Sequence, residues 1–83
     1  MDYKFLHKVL DQIVSETSLD YDQKRVYTPF FSRRLPFFLF PHSHLVVFRK
    51  HCKDVYGLNM EEIEYVWNEY RQIVKDKIRN NGL

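Results

Sequence analysis

The residues best suited to do chemistry lie in the middle of this 83-residue chain. Residues 23–53 include seven Lys and Arg side chains, no Asp or Glu, and six of the seven Phe residues. Cations attract the phosphates of nucleic acids, and unpaired bases stack on aromatic rings and on the planes of Arg side chains. The pattern favours nucleic-acid binding as the first functional hypothesis. The cations that we expect to make the contacts are Arg25, Arg33, Arg34, Arg49, Lys50 and Lys53.

The flanking segments are acidic, and this leaves a second interpretation of the same cations. Residues 1–22 have five carboxylates against two Lys, and residues 54–83 have six carboxylates against four cations, so that the whole chain carries only +2. Exposed ion pairs contribute about 0–1 kcal/mol each. If the acidic flanks pair with the central cations, those cations form an ordinary solvated face, and the sequence leaves this alternative open.

The aromatic content supports an alternative functional hypothesis. Aromatic residues make up 17% of the chain, and one apolar stretch is bounded by Pro36 and Pro41. If exposed, this stretch indicates docking to another protein or to a second copy of the chain, with Phe37, Phe38 and Phe40 at the interface. If buried, it fills the space between helices. The short length and aromatic excess are typical of accessory proteins of compact genomes such as those of viruses and phages.

The titratable side chains give little support for a metal site or for catalysis. His42, His44, His51 and Cys52 lie close in sequence, but the spacings of known structural zinc sites are absent. On a helix, His51 and Cys52 would point about 100° apart, which is unsuitable for a base and its nucleophile. A chain of this size also has little room for a substrate pocket. We therefore predict no metal, no cofactor, no small-molecule substrate and no enzymatic activity.

The elements that must position these residues are predicted to be mostly α-helical. Apolar residues recur at the three and four spacing of a helix near both ends of the chain. The pattern predicts a first helix over Tyr3–Thr17 with Asp2 as its cap. It also predicts a helical hairpin formed by His44–Tyr56 and Met60–Arg79, with Ser43 and Asn59 as caps and Gly57 as the stop between the helices. The whole chain, 1–83, is expected to form one domain.

The segment from Ser18 to His42 is harder to interpret. Thr28 followed by Pro29 is typical of the start of a short turn. Alternatively, Lys24–Thr28 and Leu35–Phe40 could pair as two short strands, in which case Pro36 must lie at a sheet edge. We favour an extended or one-turn segment packed on the helices, and a small hairpin stays the alternative.

The predicted core combines the apolar faces of the three helices. Its members are expected to be Leu6, Leu10, Ile13, Phe48, Cys52, Ile63, Val66, Trp67 and Tyr70. A single cysteine cannot form an intramolecular disulfide, and this is typical of a reducing compartment. We find no secretory signal and no apolar run long enough for a transmembrane segment. We therefore expect a cytoplasmic protein.

Overall fold

The computed structural model describes residues 1–39 and 44–81. Three helices and a small antiparallel sheet make up the fold, with the sheet between the first and second helices in the chain, which agrees with the mostly α prediction at this coarse level. The elements in chain order are α1 (Tyr3–Ser15), β1 (Ser18–Asp20), β2 (Arg25–Tyr27), β3 (Leu35–Pro36), α2 (Leu45–Tyr56) and α3 (Met60–Asn80).

Helix α1 begins where the sequence predicts and ends two residues earlier. The Asp2 carboxylate accepts a hydrogen bond from the backbone N–H of Phe5 at 3.2 Å, which satisfies one free donor of the first turn. At the other end, the Thr17 hydroxyl donates to the carbonyl of Ile13 at 2.8 Å and is also hydrogen-bonded to the Tyr70 hydroxyl at 2.6 Å. Thr17 therefore links the end of α1 to α3 rather than extending the helix.

The helical hairpin of α2 and α3 is confirmed. Gly57 has a φ of 65°, a left-handed conformation that favours glycine. Its N–H donates to the Lys53 carbonyl at 3.1 Å, and the N–H of Leu58 donates to the Cys52 carbonyl at 3.3 Å. The cap of α3 is reciprocal: Asn59 Oδ1 accepts from the N–H of Glu62 at 2.9 Å, and Glu62 Oε1 accepts from the N–H of Asn59 at 3.0 Å. Helix α2 begins at Leu45, and Ser43, its predicted cap, lies outside the described residues.

The middle segment corrects our preferred prediction. Strand β2 pairs antiparallel with both β1 and β3, so the hairpin alternative is confirmed in a shortened form, together with a strand that was not predicted. Pro36 lies on the edge strand β3, where its missing N–H costs no ladder bond. The predicted turn is also present, because the N–H of Phe31 donates to the Thr28 carbonyl at 3.4 Å across Pro29 and Phe30.

The core lies between the helices and one face of the sheet. All nine predicted core residues are buried, and Val26 and Leu35 extend the core from the sheet. Its centre is aromatic: the ring of Phe48 lies 4.8 Å from that of Trp67, 5.2 Å from Phe30 and 5.6 Å from Tyr70. The other buried apolar residues, which were not among the nine predicted for the core, are Val9, Phe30, Phe37, Leu58 and Val74.

Candidate interaction surfaces

The predicted cations are divided between the sheet region and helix α2. Arg25 lies on β2, while Arg33 and Arg34 directly precede β3. Arg49, Lys50 and Lys53 lie on α2, the helix that the sequence predicts for them. The structure brings Arg25 and Arg34 together in one cleft, and Lys50 lines a separate cavity.

The cleft on the outer side of the sheet, here called the polar cleft, has a volume of about 390 Å³. Arg34 Nη1 lies 3.3 Å from Asp20 Oδ2, and Arg25 Nη1 donates to the Arg34 carbonyl at 3.4 Å. Asp22 also lines this cleft, so its two guanidinium groups face two carboxylates. Tyr27 is half-exposed in the same cleft and is directly opposite Ser18 on β1. The polar cleft therefore combines cations with a stacking surface, but its net charge is close to zero.

The cations on α2 have a different setting. Lys50 and Lys53 are exposed, whereas Arg49 is partly buried, and its Nε atom has no hydrogen-bond partner among the described residues. Lys53 lies in the last turn of α2, where a cation interacts favourably with the helix dipole. Lys50 shares its cavity with His51 and Asp54. The helix dipole thus provides a structural explanation for at least one of these three cations.

The proline-bounded aromatic stretch separates into a buried and an exposed part. The side chain of Phe37 is only 9% exposed and packs against Tyr21, with 6.1 Å between the ring centroids. The neighbouring Phe38 is 84% exposed, the largest exposed fraction of any large hydrophobic residue in the described chain. Phe40 lies outside the described residues. Of the two predicted interface residues that the structure describes, Phe38 is therefore the one that presents its ring to solvent.

Phe38 borders a second cleft of about 570 Å³, here called the apolar cleft. Pro36, Phe37 and Phe38 line one part of it, and Ile78 reaches it from the end of α3. Its remaining lining residues are Gln23, Lys24 and Arg25. The walls of this cleft are thus largely aromatic and aliphatic, and they combine with two long cationic side chains.

Backbone hydrogen bonds fix the walls of the apolar cleft. The carbonyl of Lys24 accepts from the N–H of Phe37 at 2.9 Å, and Lys24 has a φ of 55°, a left-handed conformation unusual for a residue with a side chain. The N–H of Leu39 donates to the Pro36 carbonyl at 3.0 Å and closes a turn around Phe37 and Phe38. Tyr21 connects the same region to α3, because its hydroxyl accepts from Asn81 Nδ2 at 3.2 Å. Phe38 is therefore exposed on an ordered turn.

The titratable core groups are shifted toward their neutral forms. Burial raises the pKa of the Cys52 thiol to about 12, and burial lowers the pKa of His51 and of His44. A thiol of this kind is a poor nucleophile near neutral pH because almost none of it is thiolate. Within residues 1–39 and 44–81, no three His, Cys, Asp or Glu side chains group as a metal site would require, and His42 lies outside these ranges.

The length and composition of the helices can be compared with those of a transmembrane helix. In the part of the chain that the structure describes, none of the helices combines the length and the apolar character needed to cross a bilayer. The longest of them, α3, carries charged residues throughout its length.

Three comparisons with known proteins complete the description of these surfaces. The chain matches no family model, no curated protein and no solved structure. A functional hypothesis for this chain must therefore be argued from its own clefts and exposed side chains.

Proposed function

We propose that this chain is a non-enzymatic protein-binding module that docks a segment of a partner protein at Phe38 and the apolar cleft. The single observation that carries the proposal is the 84% exposure of Phe38 beside a cleft with apolar walls. A compartment with reducing conditions, the cytoplasm, is proposed with it because Cys52 is a free thiol.

Burying an aromatic ring on binding provides a large favourable free energy. Full burial of a Phe side chain contributes about 1.5–3 kcal/mol, and aromatic residues are common among the few residues that dominate interface energetics. Phe38 is held on a turn closed by the hydrogen bond from Leu39 to Pro36. An ordered anchor loses less conformational entropy on binding than a flexible one.

A selection experiment tests this function without knowledge of the partner. A library of random peptides is selected on the immobilised wild-type protein, on Phe38→Ser and on Val46→Ser. Val46 is a matched control because it is 76% exposed and lies on α2. We expect one peptide motif to be enriched on the wild type and on Val46→Ser but not on Phe38→Ser.

Both substitutions should leave the fold intact, because exposed positions of this kind change stability by about 0.5 kcal/mol or less. Loss of binding by Phe38→Ser would then report on the surface itself. Enrichment of the same peptides on all three proteins, or no enrichment on the wild type, would show that the apolar cleft is not a docking site. Phe37→Ser is unsuitable for this test, since Phe37 is part of the core.

A second candidate function is supported by the polar cleft. Arg25, Arg34 and Tyr27 line this one cleft, and a guanidinium pair beside a half-exposed ring suits the phosphate and base of a single-stranded nucleic acid. It ranks second because Asp20 and Asp22 lie in the same cleft and oppose an anionic ligand.

The ion pair in the polar cleft provides a test of this second function, because removing either partner should change the affinity for nucleic acid in opposite directions. Arg34→Gln should weaken binding of a fluorescent single-stranded oligonucleotide, and Asp20→Asn should strengthen it several-fold, because the change removes a carboxylate and frees Arg34. Asn retains the oxygen that accepts from the Gln23 N–H, so the β1–β2 turn should persist. Fluorescence anisotropy at several salt concentrations provides the measurement. No binding at low salt, or binding that does not weaken with salt, would rule out this function.

A further inference from the structure

We infer that the segment docked at Phe38 is acidic: it places an apolar side chain in the apolar cleft and a carboxylate beside Lys24. This inference rests on the proposed function and adds the chemistry of the partner.

The charge around the apolar cleft has one sign. Of the seven described residues that line it, two are cations and none is a carboxylate. Lys24 and Arg25 are both exposed. The guanidinium of Arg25 donates to the Arg34 carbonyl in the polar cleft, so Lys24 is the cation whose charge a ligand in the apolar cleft can meet. A peptide that combines apolar and acidic residues would match both the walls and the rim.

The acidic residues of the sheet region line the other cleft. Asp20 and Asp22 line the polar cleft, and Asp20 is paired with Arg34 at 3.3 Å. Among the described residues this is the one ion pair, so neither Lys24 nor Arg25 has a carboxylate partner within residues 1–39 and 44–81. The charge of Lys24 is therefore available to a ligand.

Helix α3 contributes an apolar residue to the cleft. Ile78 reaches it from the last turns of this helix, which also carry Lys77 and Arg79. Lys77 lines a different cavity, beside Val14 and Tyr21. Asp76 is the nearby carboxylate of α3, and its Oδ1 accepts a hydrogen bond from Gln72 Nε2 at 2.9 Å. The last turns of α3 therefore supply an apolar wall and, at longer range, an excess of positive charge.

The same charges argue against a symmetric dimer through this cleft. A two-fold contact brings identical surfaces together, so that Lys24 and Arg25 would approach the same residues of the second copy. Like charges brought together at an interface cost free energy, whereas opposite charges favour association and fix its register. A different, acidic chain is the occupant that this surface fits best.

The left-handed conformation of Lys24 permits a clean test of its charge. Asn is among the non-glycine residues that tolerate a positive φ, so Lys24→Asn removes the ammonium group and should retain the turn. Lys50 provides the matched control, because it is an exposed cation that lines a different cavity on α2. Lys50→Asn removes the same charge without altering the apolar cleft.

The experiment uses two synthetic peptides with the same central Trp and Leu residues, one flanked by Asp and Glu and the other flanked by Lys. Binding of each fluorescent peptide to the full chain is measured by anisotropy at low and at physiological ionic strength. We expect the acidic peptide to bind the wild type and Lys50→Asn about tenfold more tightly than the basic peptide, a difference of about 1.4 kcal/mol. Lys24→Asn should lose several-fold of this preference, and Phe38→Ser should lose binding of the acidic peptide.

The outcomes separate the inference from the function on which it rests. If the selected peptides depend on Phe38 but lack acidic residues, the acidic partner is wrong and the docking site stands. If no peptide depends on Phe38, the proposed function itself is wrong. Equal binding of the two synthetic peptides, an equal loss in Lys24→Asn and Lys50→Asn, or self-association that excludes the acidic peptide would each overturn the inference.

Discussion

Replacing Phe48 with Ala is expected to lower the free energy of unfolding by about 3–5 kcal/mol. The side chain of Phe48 is fully buried, and its ring contacts those of Phe30, Trp67 and Tyr70. Its loss would leave a cavity where the loop after β2, helix α2 and helix α3 meet. Domains are stabilised by about 5–15 kcal/mol, and a chain of 83 residues buries a smaller share of its surface than a larger domain does, so this loss is a large part of the total.

The matched control is the same substitution at Phe38, which is 84% exposed. Phe38→Ala should change stability by about 0.5 kcal/mol or less, because the removed ring was already in contact with water. Urea unfolding monitored by the fluorescence of Trp67, the one tryptophan of the chain, measures both variants. Similar midpoints for the two variants would mean that Phe48 is not at the centre of the core.

The helix ends could be predicted from the sequence because their signals are local. Asp2 reaches the N–H of Phe5, and Asn59 and Glu62 cap each other, all within three residues. Gly57 ends α2 through a φ that favours glycine. The apolar spacing of each helix then identified nine residues that are buried in the structure. Contacts between near neighbours need no knowledge of the rest of the fold.

The sheet could be predicted only in part because its stability comes from distant residues. The three residues of β1 have no alternating apolar pattern, and Leu19 is partly buried because it packs on the core. The turn between β1 and β2 uses Lys24 at a positive φ, where a sequence pattern leads one to expect Gly or Asn. The tertiary hydrogen bond from Phe37 to Lys24 accompanies this conformation and cannot be read from local sequence.

The candidate site, too, could be predicted from the sequence only in part. The sequence marks Phe37, Phe38 and Phe40 as one apolar stretch, and it cannot tell which ring faces the core. The contact of Phe37 with Tyr21 and its hydrogen bond to Lys24 bury one ring and leave the next exposed. The pairing of Arg34 with Asp20, fourteen positions apart, likewise depends on the β1–β2 pairing. Composition therefore located the region, while tertiary contacts selected Phe38.

The second large effect is a loss of stability at alkaline pH. Burial raises the pKa of Cys52 from 9.0 to about 12, and burial also raises the pKa of Tyr70 well above its ordinary 10.0. The unfolded chain releases these protons as the pH passes 9 and then 10, while the folded chain retains them. Stability from these groups is thus fully present below about pH 9 and is lost as the pH rises, at up to about 1.4 kcal/mol per pH unit for each group.

Urea unfolding at intervals between about pH 8 and pH 11 measures this loss, and the two groups can be separated by substitution. Tyr70→Phe should make the decline shallower above about pH 10, and the Thr17 hydroxyl should stay satisfied because it still donates to the Ile13 carbonyl. Cys52→Ala should make the decline shallower from about pH 9, although its stability at neutral pH should be lower. A stability that stays constant to about pH 11 would mean that neither proton is held by burial.

The reaction of Cys52 with a thiol reagent gives an independent check. A buried thiol with a pKa of about 12 should react mainly in unfolded molecules. Urea should therefore accelerate its labelling.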